Sequence, residues 1–144
     1  MKRGIGILLA AALLTGTVGM ESCTKEKQED IAYNLATSYI NKGKWKVSKF
    51  EEDGKDETGH FSGYVFQFNT DGTITATSGN NTLKGTWTTG SDDSKTKMNI
   101  NFPSAPLNEL NDDWVIKSGN TGSIQLQHTS GGDGSVDYLT FDKI

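Results

Sequence analysis

Two groups of titratable residues have the types and spacing that chemistry requires, and the first is a histidine with an aspartate. His128 and Asp137 lie in neighbouring apolar segments near the end of the chain. Antiparallel pairing that sets Ile124 opposite Phe141 also sets His128 opposite Asp137, at one end of the two strands. A His–Asp pair is half of a general-base arrangement. The sequence names no third partner, so a hydrogen bond at the rim of the fold is the simpler interpretation.

The second group is an acidic stretch, residues 51–57, with five carboxylates in seven residues. Ca²⁺ takes several oxygen ligands, but the order of these acids does not match an EF-hand loop. Such stretches are commonly solvated surface, and that alternative is the plainer one. His60 follows without a predicted partner, and the acid pairs 92–93 and 112–113 flank turns. We therefore predict no metal site and no cofactor.

Composition excludes several classes of function. The chain has one cysteine, Cys23, so it has neither an internal disulfide nor a CxxC metal site. Its net charge is −4 and its one arginine is Arg3, which makes nucleic acid a poor partner because phosphate contacts need clustered lysine and arginine. No nucleophile with a base, metal cluster or phosphate loop stands out, and we predict that the protein is not an enzyme.

The N-terminal segment indicates export. Lys2 and Arg3 precede an apolar run over residues 4–18, which is a charged region followed by an apolar region too short to span a membrane. The small residue Ser22 then precedes Cys23. This resembles the lipobox of bacterial lipoproteins, in which the cysteine carries the acyl chains, such as palmitate. The resemblance implies a signal peptide at 1–22, a lipidated tether at 23–29, and a membrane-anchored protein facing the periplasm or cell surface of a Gram-negative bacterium.

The periodicity of the remaining chain predicts one helix and then eight strands. Ile31, Leu35 and Tyr39 recur every four residues, which predicts a short helix over 30–41 that ends at Lys42-Gly43. From Trp45 the period changes to two, the mark of strands with one buried face. The predicted strands are 45–50, 64–69, 73–78, 82–89, 96–102, 113–118, 123–129 and 136–143. Short strands separated by turn residues predict an all-β sandwich or barrel.

The registers follow from keeping one apolar face on every strand. Phe68 opposite Ile74 leaves a three-residue loop with Gly72 in the left-handed position. The same rule sets Ala76 opposite Leu83, Trp87 opposite Met98, Gly85 opposite Ile100, and Ile124 and Leu126 opposite Phe141 and Leu139. Consecutive hairpins of this kind make an up-and-down meander, whose edges are removed by closing it into a barrel.

The barrel interior is the leading candidate for a binding site. An eight-stranded barrel has an interior that side chains just fill or that holds one small ligand, and both alternatives stay open. A pocket there would be apolar and would suit a small hydrophobic ligand. Leu107 and Leu110, three residues apart, predict one helical turn laid on the barrel. The candidate ligand-binding residues are the inward aromatic side chains Trp45, Tyr64, Phe66, Phe68, Trp87, Phe102, Trp114 and Phe141.

Three motifs together resemble the lipocalin (calycin) superfamily. They are Gly43-x-Trp45 opening the first strand, Lys84-Gly85-Thr86-Trp87 in the fourth, and the closing Leu139-x-Phe141-x-Lys143. They are similar to the small lipocalin-like domains of bacterial lipoproteins. The resemblance, over about residues 40–144, implies an all-β, eight-stranded antiparallel barrel that occupies 30–144 with its N-terminal helix. This chain departs from the family in lacking the arginine that packs on the tryptophan of lipocalins.

Two functions fit these observations, and neither includes catalysis. The first is a membrane-anchored lipocalin-like lipoprotein that binds a small hydrophobic ligand inside the barrel. The alternative is a protein-interaction or inhibitor module with a filled core that acts through its loops and outer surface. In both, the membrane is a partner through the lipid anchor, and the sequence does not predict an oligomeric state.

The lipid anchor is tested by the substitution Cys23→Ser. Because acyl chains on this sulfur would hold the protein in the membrane, the variant should move into the soluble fraction of a cell envelope extract, measured by fractionation and immunoblotting. The neighbouring substitution Ser22→Ala keeps a small residue before the cysteine and should leave membrane retention unchanged. Full retention of the Cys23→Ser variant would contradict the anchor.

Overall fold

A computed structural model describes residues 37–92 and 95–144 of the chain. Residues 37–40 are helical (α1), and residues 30–36 of the predicted helix lie outside the described part, as do the predicted signal peptide and Cys23. The strands that follow are β1 Trp45–Glu52, β2 Lys55–Asp56, β3 Val65–Phe68, β4 Thr73–Ser78, β5 Asn81–Asp92, β6 Lys95–Asn101, β7 Asp112–Gly119, β8 Ser123–Thr129 and β9 Val136–Lys143. Two short 3-10 helices are η1 Thr58–Phe61 and η2 Leu107–Leu110.

The strands form a closed antiparallel barrel, as the sequence predicted. Each of β3 to β9 pairs with its neighbour in sequence, and β1 closes the barrel by pairing with both β9 and β3. The two-residue strand β2 is an extra hairpin arm on β1, so the barrel itself has eight strands. In the described ranges no helix is both long and apolar enough to cross a membrane.

Alternating strand directions divide the loops between two ends of the barrel. We call the end at which β1 finishes the upper end, and it carries the loops 53–64, 79–80, 102–111 and 130–135. The lower end carries residues 37–44, 69–72 and 120–122. Chain direction therefore puts α1 at the lower end, next to the start of β1.

Most predicted registers are confirmed. Phe68 pairs with Ile74 and Ala76 with Leu83, and Gly72 has the left-handed φ of 86° that the three-residue loop needs. The last hairpin pairs Ile124 with Phe141 and His128 with Asp137. The period-two pattern was sufficient here because a slip of one residue would expose the whole apolar face.

The predicted register between β5 and β6 was wrong by two residues. Trp87 pairs with Ile100 instead of Met98, and Thr89 pairs with Met98. A two-residue shift keeps the same side chains inside, so the apolar pattern cannot distinguish the two registers. In the observed register the ring of Phe102 lies over Gly85, where a Cβ would be 2.8 Å from that ring.

A β-bulge in β1 changes which side chains face inward. The pairing of β1 with β9 shifts between Val47 and Lys49, so that Phe50, which sequence analysis did not place inside, is buried. Four further buried residues came from outside the predicted strands: Ile40, Phe61, Leu107 and Leu110. The predicted helical turn at Leu107 and Leu110 is confirmed as η2.

Gly85 gives a test of the β5–β6 packing. A methyl group there would collide with the backbone oxygen of Asn101 and with the Phe102 ring, so Gly85→Ala should lower the free energy of unfolding by about 1–3 kcal/mol, as overpacking does. Urea unfolding followed by tryptophan fluorescence measures the change. Gly90→Ala is the matched control on the same strand, because nothing lies within 4 Å of its added methyl group. Equal effects of the two substitutions would contradict the observed register.

Candidate functional site

The eight candidate ligand-binding side chains lie in one packed core. Six of them are 0–2% exposed: Trp45, Phe66, Phe68, Phe102, Trp114 and Phe141. The other two, Tyr64 and Trp87, are partly buried against the same cluster. Edge-to-face contacts join the rings, with Phe141 5.3 Å from both Phe66 and Phe68 between ring centroids. This arrangement is the preferred one for aromatic pairs in a close-packed interior.

The burial values also describe the space between these rings. A side chain that bordered an internal cavity large enough for water would expose part of its surface to that cavity. Trp45, Phe66 and Phe141 show no such exposure. Ligand binding inside the barrel stays a prediction, and the packing of these side chains counts against it.

Each tryptophan donates its indole N–H to a backbone carbonyl of an adjoining segment. Trp45 donates to Ile40 of α1 at 2.7 Å, and Trp114 donates to Leu110 of η2 at 2.9 Å. Trp87 donates to Asn69, in the β3–β4 loop, at 2.9 Å. Buried indole N–H groups need such partners, and the three bonds attach α1, η2 and the β3–β4 loop to the core.

The upper end holds a cluster of acids around His128. The predicted register with Asp137 is confirmed, but Asp137 is not the closest acid: its Oδ2 is 3.7 Å from Nδ1 of His128. Oδ2 of Asp112 is 3.1 Å from the same nitrogen, and Oδ1 of Asp113 is 3.6 Å from Nε2. The Trp114 ring lies edge-on to the imidazole, 6.2 Å between centroids. We call His128, Asp112, Asp113 and Asp137 the His128 cluster.

Nδ1 of His128 is sealed from solvent and has no hydrogen bond. Asp112 is close enough for one, so the direction from the ring to its oxygen must be unfavourable. A general base is oriented by a hydrogen bond from its second nitrogen to a carboxylate. The predicted His–Asp pair therefore lies at the predicted place without the geometry of a general-base pair.

The pKa values of the two adjacent aspartates of the cluster are shifted in opposite directions. Burial raises the pKa of Asp112, and a hydrogen bond from the Lys97 ammonium, at 2.6 Å, lowers the pKa of Asp113. Sequence analysis gave Asp112 and Asp113 no role beyond flanking a turn, and both begin β7. A signal was present in the sequence, since Asp112 falls on the same alternating face as Trp114 and Ile116 and so had to face inward.

The acidic stretch 51–57 does not gather its carboxylates into one site. Asp56 accepts hydrogen bonds from the backbone and hydroxyl of Thr58, and Asp53 accepts one from Ser135. Glu51 pairs with Lys49. Burial, followed by the charge of Glu57, raises the pKa of Glu52. Three of the five acids are therefore bonded to residues that are not acids of this stretch.

His60, which sequence analysis left without a partner, forms an ion pair across the upper end. Its Nδ1 donates to Oε2 of Glu109 in η2 at 2.8 Å. The hydrogen bond and the charge of Glu109 raise the pKa of His60. The carboxylate of Glu57 lies nearby, and the imidazole is half exposed. The bond connects the loop 53–64 to the β6–β7 loop, a contact that no strand pattern predicts.

A broad groove lies on the outer face at the lower end, where β3 meets the first residues of the domain. Its volume is ≈ 600 Å³, and it is lined by Gly43, Lys44, Val65, Gln67, Thr75, Thr77 and Ile144. A second groove of ≈ 410 Å³ runs over the outer face of β5, β6 and β7 up to Asp112 and Asp113. Both grooves are open to solvent, unlike the packed interior.

Glu109→Gln should lower the pKa of His60 toward its ordinary value of 6.5, because the charge and hydrogen bond that favour the imidazolium are lost. Since the folded pKa is raised, the pair stabilises the fold below pH 6.5, and that contribution is lost as the pH rises through the folded pKa. An NMR titration of the His60 ring protons measures this pKa. Glu51→Gln is the control, as its carboxylate pairs with Lys49 instead, and an unchanged His60 pKa in the Glu109→Gln variant would contradict the ion pair.

Comparison with known proteins leaves the family open. No protein-family model matches the chain, and no curated protein matches it. Among solved structures the chain is similar to a DUF4847 family protein from Bacteroides vulgatus ATCC 8482, with 21% sequence identity and a TM-score of 0.47. The match covers 75% of this chain and 96% of that one. A similarity of this size assigns neither a family nor an activity.

Proposed function

We propose that this protein is a membrane-anchored, non-catalytic interaction module whose filled barrel is a rigid scaffold and whose upper end binds another protein. The observation that carries the proposal is the packed interior, in which the central aromatic side chains have no exposed surface. Placing a lipid-sized ligand there would require several of these rings to leave the core. Each such displacement would lose the packing of a buried ring, and even deleting one by a Phe→Ala or Trp→Ala substitution costs about 3–5 kcal/mol.

The position of the tether favours the upper end as the binding surface. An acyl anchor on Cys23 would join the described domain through residue 37, at the lower end. Exposed lysines surround this point: Lys42, Lys44 and Lys143. Lysines next to a membrane are attracted by anionic lipid headgroups, by about 1 kcal/mol each near the surface. The lower end would then face the membrane, and the upper loops would face away from it.

The upper end has the charge and rigidity of a recognition surface. Glu52, Asp53 and Asp133 are exposed there, and the loops that carry them are held together by side-chain bonds. The backbone N–H of Asp53 donates to Asp137 at 3.0 Å, and the hydroxyl of Ser135 donates to Asp53 at 3.0 Å. A preorganised surface loses less conformational entropy on binding. Its acids favour a partner with a basic patch, which would be attracted over a distance and oriented on approach.

A photo-reactive amino acid incorporated in intact cells tests which end binds a protein. We expect the probe at Lys55, exposed at the upper end, to cross-link one defined protein, and the probe at Thr121, exposed at the lower end, to give no protein adduct. Both variants carry the same probe on the same anchored barrel, so the comparison isolates the position. The paired substitutions Asp53→Asn and Asp133→Asn should weaken the Lys55 cross-link, because they remove acidic charge next to the probe.

Two outcomes would overturn the proposal. One is an adduct of equal yield from Lys55 and Thr121, which would show that the upper end is not selective. The other is saturable binding of a fatty acid to the purified protein with a shift in the emission of Trp45 and Trp114. That result would return the function to the barrel interior.

A further inference from the structure

We propose that His128, Asp112 and Asp113 form a binding site for a divalent transition-metal ion such as Zn²⁺ at the upper end of the barrel. One imidazole nitrogen and two carboxylate oxygens, one from each residue, lie within 4.8 Å of one another. Metal–ligand bonds of about 2.0–2.2 Å put two ligands of one ion about 3–4 Å apart. The 3.1 Å between Nδ1 of His128 and Oδ2 of Asp112 falls within that range. The site goes beyond the proposed function, since it requires neither the anchor nor a protein partner.

The unused nitrogen of His128 is the second observation. Nδ1 is completely buried and forms no hydrogen bond with the described residues, although buried polar atoms are nearly always bonded. Three carboxylates lie within 3.7 Å of the imidazole nitrogens, so acceptors are present but badly directed for a proton. A cation between Nδ1 and the carboxylate oxygens would bind their lone pairs, and the lone pair of Nδ1 is not used in a hydrogen bond.

The charge of the cluster also favours a divalent cation. Asp112, Asp113 and Asp137 bring three carboxyl groups to one imidazole, and Lys97 is bonded to Asp113. Burial without a matching charge is costly for a carboxylate. Each of the three acids already accepts one hydrogen bond through its other oxygen. The oxygens of Asp112 and Asp113 lie closest to the imidazole, at 3.1 and 3.6 Å, against 3.7 Å for Asp137, so we assign these two acids to the ion.

All three ligand residues lie on strands, and a solvent-open groove borders the two aspartates. Asp112 and Asp113 begin β7 and His128 lies near the end of β8, so all three are on strands of the barrel rather than on loops. Ligands on rigid elements are held more precisely than ligands on loops. The groove of ≈ 410 Å³ over β5, β6 and β7 is lined by both aspartates. It brings solvent to the two carboxylates of the site, whereas Nδ1 of His128 is buried on the other side of them.

The donor set selects the class of metal. Imidazole suits Zn²⁺ and other first-row transition ions, whereas Ca²⁺ and Mg²⁺ prefer sites made wholly of oxygen. A single histidine with two carboxylates therefore favours Zn²⁺, Mn²⁺ or Co²⁺ over the alkaline-earth ions. The second group at this end, Glu57, His60 and Glu109, is more exposed, and its imidazole already donates to Glu109. It serves as the internal control.

The experiment measures binding to the chelator-treated, detergent-solubilised full chain by calorimetry with ZnCl₂. We expect one Zn²⁺ per chain, with a large excess of Ca²⁺ unable to displace it. His128→Gln should weaken binding by more than about 10-fold, because even the outer partners of a metal ligand contribute about 10- to 100-fold to affinity. His60→Gln is the matched control and should leave the affinity unchanged. Asp112→Asn should weaken binding similarly, and the circular dichroism of each variant checks that the barrel is intact.

A spectroscopic readout locates the ion independently. Co²⁺ bound at the His128 cluster would lie next to the Trp114 ring, which contacts the imidazole edge-on, and should quench tryptophan emission with the same saturation as the calorimetry. Loss of this quenching in His128→Gln, but not in His60→Gln, is the expected result. The inference is overturned if Zn²⁺ does not bind, if Ca²⁺ competes equally, or if a folded His128→Gln variant retains the affinity of the unmodified chain.

Discussion

The rest of the structure depends on how the barrel closes at its first strand, which is fully paired on one side and only partly paired on the other. β1 pairs with β9 along nearly its whole length, from Trp45 to Glu51, but with β3 at one residue pair only, Trp45 with Phe66. The other edge of β1 would expose backbone groups if nothing replaced β3. The loop 53–64 supplies the replacement: the N–H of Phe50 donates to the hydroxyl of Thr58 at 2.9 Å, and the N–H of Glu57 donates to the carbonyl of Phe50 at 2.9 Å.

Because the loop 53–64 takes the place of β3 beside β1, the upper end is both covered and polar. To reach Phe50, the loop must cross the end of the barrel, where Phe61 packs edge-on against Phe50 at 5.1 Å between centroids and becomes buried. The same crossing brings His60 to Glu109 and Asp53 to Asp137. Below this layer lies Trp114, 6.3 Å from Phe50 between centroids and in contact with His128. The core and the polar cluster are therefore adjacent layers that share their aromatic contacts.

The alternating apolar pattern of the sequence was enough to predict the strands that follow it. The predictions failed where the strand geometry departs from that alternation. Alternation of apolar residues was enough for the eight strands, the closed barrel and the registers of β3–β4 and β8–β9. It could not detect the bulge after Val47, which moved Phe50 inward, nor choose between two β5–β6 registers with the same buried face. At the upper end it placed His128 opposite Asp137 correctly. It missed the partner of His60, because that contact joins two loops distant in sequence. It also missed Asp112, although alternation with Trp114 and Ile116 placed this residue on the inward face.

The balance between interior and surface follows from the size of the strands. With β3 only four residues long and β4 six, the barrel has few inward positions, and large aromatic side chains occupy many of them. The interior of an eight-stranded barrel is narrow enough for side chains to fill it. Rings of this size occupy that interior, and the central ones have no exposed surface. The polar groups with unused binding capacity then lie where the strands end, as at Nδ1 of His128. Recognition by this protein is therefore expected at the ends and outer faces of the barrel, with the aromatic core holding those surfaces in place.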